Sequence, residues 1–225
     1  LEPDRRRADR QVGVVDARGR VSAYTGAGCE SWAGDLAGEN FTCQGNLLAG
    51  PAVVEAMREA FRNTGGELAL RLFAALRAGD ERGGDRRGRQ SAAILVVREG
   101  GGYGGKNDRY LDLRVDDHPD PVGELGRLLG KGLGMHRIRE ADRLLRAGEL
   151  ERAEALVRQS ARLDGSSGMI QYFVARFEAR AGNGDAAIEA LEKALADRPD
   201  LRRYLDGDPF FAELAGEERF RRLLE

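Results

Sequence analysis

The chain has 225 residues, enough for one large domain or two small ones with a real hydrophobic core. Charged residues make up 33 % of it, yet 36 Lys and Arg against 38 Asp and Glu leave a formal net charge of -2. That balance calls for neither nucleic acid nor a membrane surface as a partner.

The opening "LEPDRRRADRQ" is charged and has no apolar stretch of the kind a secretory signal needs. No initiator Met precedes Leu1, so Leu1 is not expected to be the first residue of the gene product. "QVGVVD" and "RVSAYT" are β-rich runs joined by the turn "ARG", which predicts a hairpin. "FTCQGNLL" is a third run, closed by Gly50. Pro51 then opens a helix at a position that tolerates its missing amide. Val53, Val54, Met57, Ala60 and Phe61 recur at helical spacing and form its inner face. A second helix, from Glu67 to Ala78, turns Leu68, Leu72, Ala75 and Leu76 inward and stops at Gly79.

"DERGGDRRGRQ" follows as a polar loop. The apolar run "SAAILVV" and the alternating "RYLDLRV" then predict two antiparallel strands. Between them Gly100, Gly105 and Lys106 stand at the spacing of a phosphate-binding loop. That chemistry requires Ser or Thr after the Lys and a helix beginning there. Asn107 and a strand pattern follow instead, so the glycines are read as a long hairpin turn. "DDHPDP" ends the strand, Pro121 begins a helix toward Leu129, and the glycines of "GKGLGM" predict an interdomain linker at residues 131–135. The domains expected are therefore 1–130 and 136–225.

Beyond the linker every segment reads as helix, and the pattern repeats with a shift of 34 residues: Ala141 falls on Ala175, Gly148 on Gly182, Ala153 on Ala187 and Val157 on Leu191. Helix pairs at that period, with small residues at the crossings, make a tetratricopeptide-like pattern. Phe210, Phe211, Leu214, Phe220 and Leu223 supply a closing helical cap.

No run approaches the roughly 20 apolar residues that span a bilayer, and the expected location is cytoplasmic. Cys29 and Cys43 are too few and too far apart for a metal cluster or a redox pair, and reduced thiols are preferred over a single disulfide. His118 and His136 lie near no ligand set and are read as surface or capping residues. Neither a cofactor nor a metal is expected. Gln44, Asn46, Gln90 and Ser91 are the polar residues most out of place beside apolar strands, because buried amides require hydrogen-bond partners. Asn46 and Gln90 would serve equally well to satisfy backbone groups at strand ends.

Three ordered blocks carry a family resemblance: "RQVGVVDARGRVSAYTGAGCESWAGDLAGENFTCQGNLLAGPAVVEAMREAF", "GGDRRGRQSAAILVVR" and "GGYGGKNDRYLDLRVDDHPDPVGEL". Over Arg10 to Leu129 the chain resembles the bacterial family called domain of unknown function 1028, which is grouped by fold with the N-terminal nucleophile hydrolases. The resemblance implies an α+β fold, an αββα sandwich incomplete at its N-terminal side, followed here by the tetratricopeptide-like helices. Some family members carry an appended peptidoglycan-binding module in that place instead.

In that superfamily the first residue, Thr, Ser or Cys, attacks an acyl bond while its own α-amine, with a reference pKa of about 7.7 to 8.0, takes the proton. Leu1 offers no nucleophile, and the chain joins the family pattern after the first strands. The expectation is thus an amide-bond hydrolase when full length and an inactive fragment as given. On chemistry alone Gln44 and Asn46 are candidate oxyanion donors, Ser91 a further catalytic candidate, and Asp85, Arg87 and Gln90 substrate contacts. Arg86 and Arg87 read equally well as a solvated loop paired with Asp85. The expected partners are a small acyl or amide substrate and a protein or peptide at the repeats, with a homodimer open. The alternative function is a non-catalytic interaction module.

Overall fold

β-Branched residues suit a pleated surface, and Val12, Val14, Val15 and Val21 lie in the first hairpin of the computed structural model, which describes residues 3–225. Strand β1 (Gln11–Val15) pairs antiparallel with β2 (Val21–Thr25), Gln11 opposite Thr25. The Asp16 carboxylate closes the turn by accepting from the backbone N–H groups of Arg18 and Arg20, at 2.9 and 2.8 Å.

Strand β3 (Gly34–Gly38) pairs with β4 (Phe41–Gly45), and β5 (Ala92–Val97) pairs with β6 (Arg109–Val115). The described residues therefore form a mixed α and β structure with three separate two-stranded antiparallel sheets. The sequence pattern does not predict β3. "GDLAG" has little β propensity, and it is a strand because β4 supplies its ladder. The Gly-rich stretch before Lys106 is the β5–β6 loop, and a strand follows it as expected from the alternation of "RYLDLRV".

Helix α1 (Pro51–Asn63) buries Val53, Val54 and Phe61, and Phe41 stacks on Phe61 with ring centroids 4.4 Å apart. Helix α2 (Leu68–Glu81) runs past Gly79, because that glycine is buried against Met57 and does not end the helix. Leu68, expected inside, is exposed, and its neighbour Ala69 is buried instead. The apolar run of β5 predicts a strand covered on both faces. Ile94 and Val96 are buried, but Leu95 and Val97 are 56 % and 65 % exposed.

Helix α3 (Pro121–Arg146) crosses the residues expected to be a linker. Glycine weakens an isolated helix, but tertiary packing decides here. A β-carbon on Gly130 would come 2.7 Å from the Leu163 carbonyl oxygen, and one on Gly134 would come 2.7 Å from Ile170 Cδ1. The chain divides into two compact units, Leu1–Gly126 and Arg127–Glu225, so the division lies inside α3. No helix among the described residues is long and apolar enough to cross a membrane.

The second unit continues with α4 (Leu150–Leu163), α5 (Gly168–Arg180), α6 (Gly184–Asp197) and α7 (Glu218–Leu224). The period of 34 seen in the sequence recurs in the element bounds: α3 and α5 end at Arg146 and Arg180, while α4, α6 and α7 begin at Leu150, Gly184 and Glu218. The crossing positions Ala141, Ala175, Ala153 and Ala187 are all buried. A third, shortened unit thus follows the two complete pairs. In it, 3-10 turns at Pro199–Tyr204 and Pro209–Leu214 replace the first helix, since Pro209 removes a donor and bars the α conformation before it. Phe211, Leu214 and Phe220 close that core.

Gly148 and Gly182 make the same helix end. Each has positive φ, 80° and 82°, and the following N–H reaches back five residues, Glu149 to Leu144 and Asn183 to Glu178. Gly216, the third in the series, has no positive φ. Gly148→Ala and Gly182→Ala are each expected to destabilise the second unit by about 1–2 kcal/mol, the cost of a left-handed alanine. Gly216→Ala should stay within about 0.5 kcal/mol, and urea midpoints of the three variants check the contrast.

Candidate functional site

The loop after α2 is sewn to the chain after β4. Ala49 N–H donates to the Gly84 carbonyl at 3.0 Å, Arg86 N–H donates to the Leu47 carbonyl at 2.8 Å, and Leu48 bridges Asp85. Two glycines make the path possible. Gly83 has φ +102° and lies where a β-carbon would be 2.8 Å from Ala49 Cβ, and Gly88 has φ +109°.

Two bidentate pairs set the loop's outline. Arg87 donates from Nε and NH2 to Asp85 at 3.0 and 2.6 Å, and Arg89 donates to Asp80 of α2 at 2.7 and 2.8 Å. The Arg87 guanidinium, aided by the Arg87 backbone N–H, holds the Asp85 carboxyl at about 2, below the ordinary carboxylate value. The Arg87–Asp85 pair is largely exposed, so it contributes little to global stability and instead fixes the local shape.

Between this loop, α1, α2 and the start of α3 lies a cavity of about 700 Å³. Leu48, Val53, Met57, Leu76 and Val122 give it apolar surface, and Gln44, Asp85, Arg87, Gln90 and Ser91 give it polar surface. Five of the six residues singled out from the sequence therefore meet at one place. Gln44 accepts from the Thr42 hydroxyl at 3.0 Å, and the Gln90 carbonyl accepts from His118 N–H at 2.9 Å. The side chains of Gln90 and Ser91 are exposed to solvent. The alternative reading of Arg87 as a loop residue paired with Asp85 is met as well, since the pair forms and lines the cavity. Arg86 turns instead to Glu30, at 3.7 Å.

Asn46 is elsewhere. It lines a separate cavity of about 390 Å³ with Gln11 and Cys29, and its Nδ2 donates to Gln11 Oε1 at 3.2 Å. Nothing in the sequence pattern marks Gln11. Its amide reaches the carbonyls of Gly34 and Gly45, at 3.2 and 2.8 Å, and the Thr25 hydroxyl at 3.1 Å, while Thr25 donates to Asp35 at 2.5 Å. Asp80, Arg89 and Asp117 at the main cavity are likewise absent from the sequence-based candidates. The alternating charges of "GDERGGDRRGR" are the available signal for the first two. Cys29 and Cys43 are both free thiols; Cys43 is buried, and burial pushes its thiol up from the ordinary value. His118 accepts from the Asp120 N–H at 3.0 Å, a capping contact.

A family model described as "Family of unknown function (DUF1028)" matches residues 1–125, more than half of the sequence. The chain belongs to the DUF1028 family. It is similar to the crystal structure of protein SPO2555 from Silicibacter pomeroyi, which carries the same family assignment, at 32 % identity over 56 % of this chain and 54 % of that one, with a TM-score of 0.48. The chain thus spans about half the length of that relative, 54 %. No curated protein matches it.

In this DUF1028 chain the pH response of the loop follows from Asp85. A carboxyl lowered in the folded state contributes stability that is present above the ordinary value of 3.8 and lost as pH falls toward about 2. Carbon-13 NMR of the Asp85 carboxyl should show its midpoint near pH 2 in the wild type and a higher one in Arg87→Gln, still short of the ordinary value because the backbone N–H of residue 87 remains. A wild-type midpoint near 3.8 would mean the Arg87 contact does not persist in solution.

Proposed function

We propose that the first unit is a receptor for a small acyl or amide compound, built on the N-terminal nucleophile hydrolase-like αββα sandwich that the sequence resembles. The observation that carries this reading is the meeting of Gln44, Asp85, Arg87, Gln90 and Ser91, from separate stretches of the chain, around one cavity of about 700 Å³. Amide side chains donate and accept at once, as an amide ligand does, so Gln44 and Gln90 complement a carbonyl and an N–H in the same molecule. The apolar residues beside them suit an acyl chain.

Ser91 brings a hydroxyl, but among the described residues no His, Cys or Lys stands beside it in the lining to take its proton. Binding and orientation are accordingly what these residues supply. A hydrolytic step of the superfamily's kind draws its nucleophile from a terminal Thr, Ser or Cys, with Gln44 as oxyanion donor. Asn46, which faces Gln11 at the separate smaller cavity, has no part in this reading. The second reading, an interaction module, is favoured by the helix pairs that recur every 34 residues, a tetratricopeptide-like arrangement suited to a protein or peptide partner.

Saturation-transfer NMR on the 225-residue chain, with N-acyl amino acids and primary amides as probes, tests the receptor. Signal is expected from acyl compounds, and Gln90→Ala combined with Ser91→Ala should weaken it roughly threefold to tenfold, the loss of one or two neutral hydrogen bonds. Equal signal from parent and double variant overturns the assignment. Selection of peptides that bind the full chain and its double variant alike would favour the interaction module.

A further inference from the structure

A second opening in the first unit is lined by arginines. Arg58 and Arg62 stand four residues apart on α1, Arg71 lies in the first turn of α2, and opposite them are Ala37, Gly38, Glu39 and Phe41 of the β3–β4 hairpin. The space enclosed is about 310 Å³. Its lining carries three guanidinium groups and one carboxylate, Glu39.

These cations are poorly matched by the protein itself. Glu59 is the acid nearest Arg58 and Arg62, but at 3.7 and 4.0 Å it is beyond hydrogen-bond distance, and it is half exposed. Arg58 Nε is sealed from solvent and has no hydrogen-bond acceptor. Buried polar groups almost always have a partner, so the protein does not fully match Arg58, and a ligand would meet the remaining, partly exposed part of its guanidinium rather than Nε itself. Arg71 is held firmly, its Nε donating to the Phe61 carbonyl at 3.2 Å and its guanidinium lying 4.1 Å over the Phe61 ring. That anchoring occupies Nε and leaves the two terminal nitrogens for another acceptor.

We propose that this cavity binds the phosphate group of a small phosphorylated molecule. Guanidinium forks match the oxygens of a phosphate or a carboxylate, and charge decides between the two. Three arginines less Glu39 leave two positive charges in the lining, and the half-exposed Glu59 beside Arg58 and Arg62 offsets only part of one; an excess above one favours a dianionic phosphate monoester over a single carboxylate. The site is separate from the acyl cavity and does not depend on how that cavity is read.

The test titrates inorganic phosphate into the 225-residue chain by isothermal calorimetry and phosphorus-31 line broadening, with chloride holding ionic strength constant and sodium acetate as the carboxylate probe. Phosphate should bind at least about tenfold more tightly than acetate. Arg58→Gln with Arg62→Gln, two partly exposed positions, should weaken phosphate by about tenfold or more, as loss of charge-assisted hydrogen bonds requires. Glu39→Gln, which removes the lone anion from the lining, should tighten phosphate binding, and it probes the site even where the double variant does not fold. Phosphate affinity equal to that of acetate, unchanged in the arginine variant, or unimproved in Glu39→Gln overturns the proposal.

Discussion

At Gly79 the α2 backbone lies so close to α1 that a β-carbon would come within 2.8 Å of Met57 Cγ, and the main cavity takes its form from that approach. Val53 and Met57 of α1 and Leu76, Gly79 and Asp80 of α2 make one continuous wall. Because α2 is close, Asp80 stands where its carboxylate can hold Arg89. The Arg89 contact draws the far end of the loop back over the helix, while Leu47 and Ala49 hold its near end. A glycine whose apparent meaning in the sequence is to end a helix therefore sets the spacing on which the polar rim depends.

The two N-terminal hairpins meet through polar contacts. Gln11 sits opposite Thr25 at the end of one hairpin, and Gly34 sits opposite Gly45 at the end of the other. The Gln11 amide reaches the carbonyls of both glycines, and Asn46 fixes the amide's orientation by donating to its oxygen. A half-buried amide that satisfies several partners gives specificity of arrangement more than net stability, because its own desolvation offsets much of the gain. Thr25 and Asp35 extend the same chain of hydrogen bonds.

Features with a period are legible in the sequence. The β6 alternation, the apolar face of α1 and the 34-residue shift each repeat a signal several times, and all three appear in the structure. Features decided by a distant neighbour are not. "GDLAG" is a strand only because β4 lies beside it, and α3 crosses its glycines only because Leu163 and Ile170 approach them. At the site, Gln44, Asp85, Arg87, Gln90 and Ser91 stand out as polar residues near strand ends and a charged loop, and they do converge. Asn46 shares the same signal, yet it faces Gln11, since residues two apart along a strand direction need not share surroundings once the strand ends at Gly45. Gln11 itself opens a strand with no local sign that three acceptors await it.

One repeat position in the second unit shows how near-identical helical pairs can be given a fixed order. Asp142, Arg176 and Phe210 lie 34 residues apart in turn, so they are the same position in three successive units. Arg176 is only 4 % exposed; it pairs with Asp142 at 2.5 Å on one side and lies 4.2 Å over the Phe210 ring on the other. Asp208, which also accepts from Tyr172 at 2.6 Å, contributes a second carboxylate at 3.1 Å. A buried cation between two acids gains little over a well-packed apolar group, but removing both acids would leave a buried charge unpaired, and removing Arg176 would leave two carboxylates facing each other. Acid, base and aromatic ring therefore cannot exchange places among the units. The helices repeat, and the ionic contact makes each unit fit only its own neighbours.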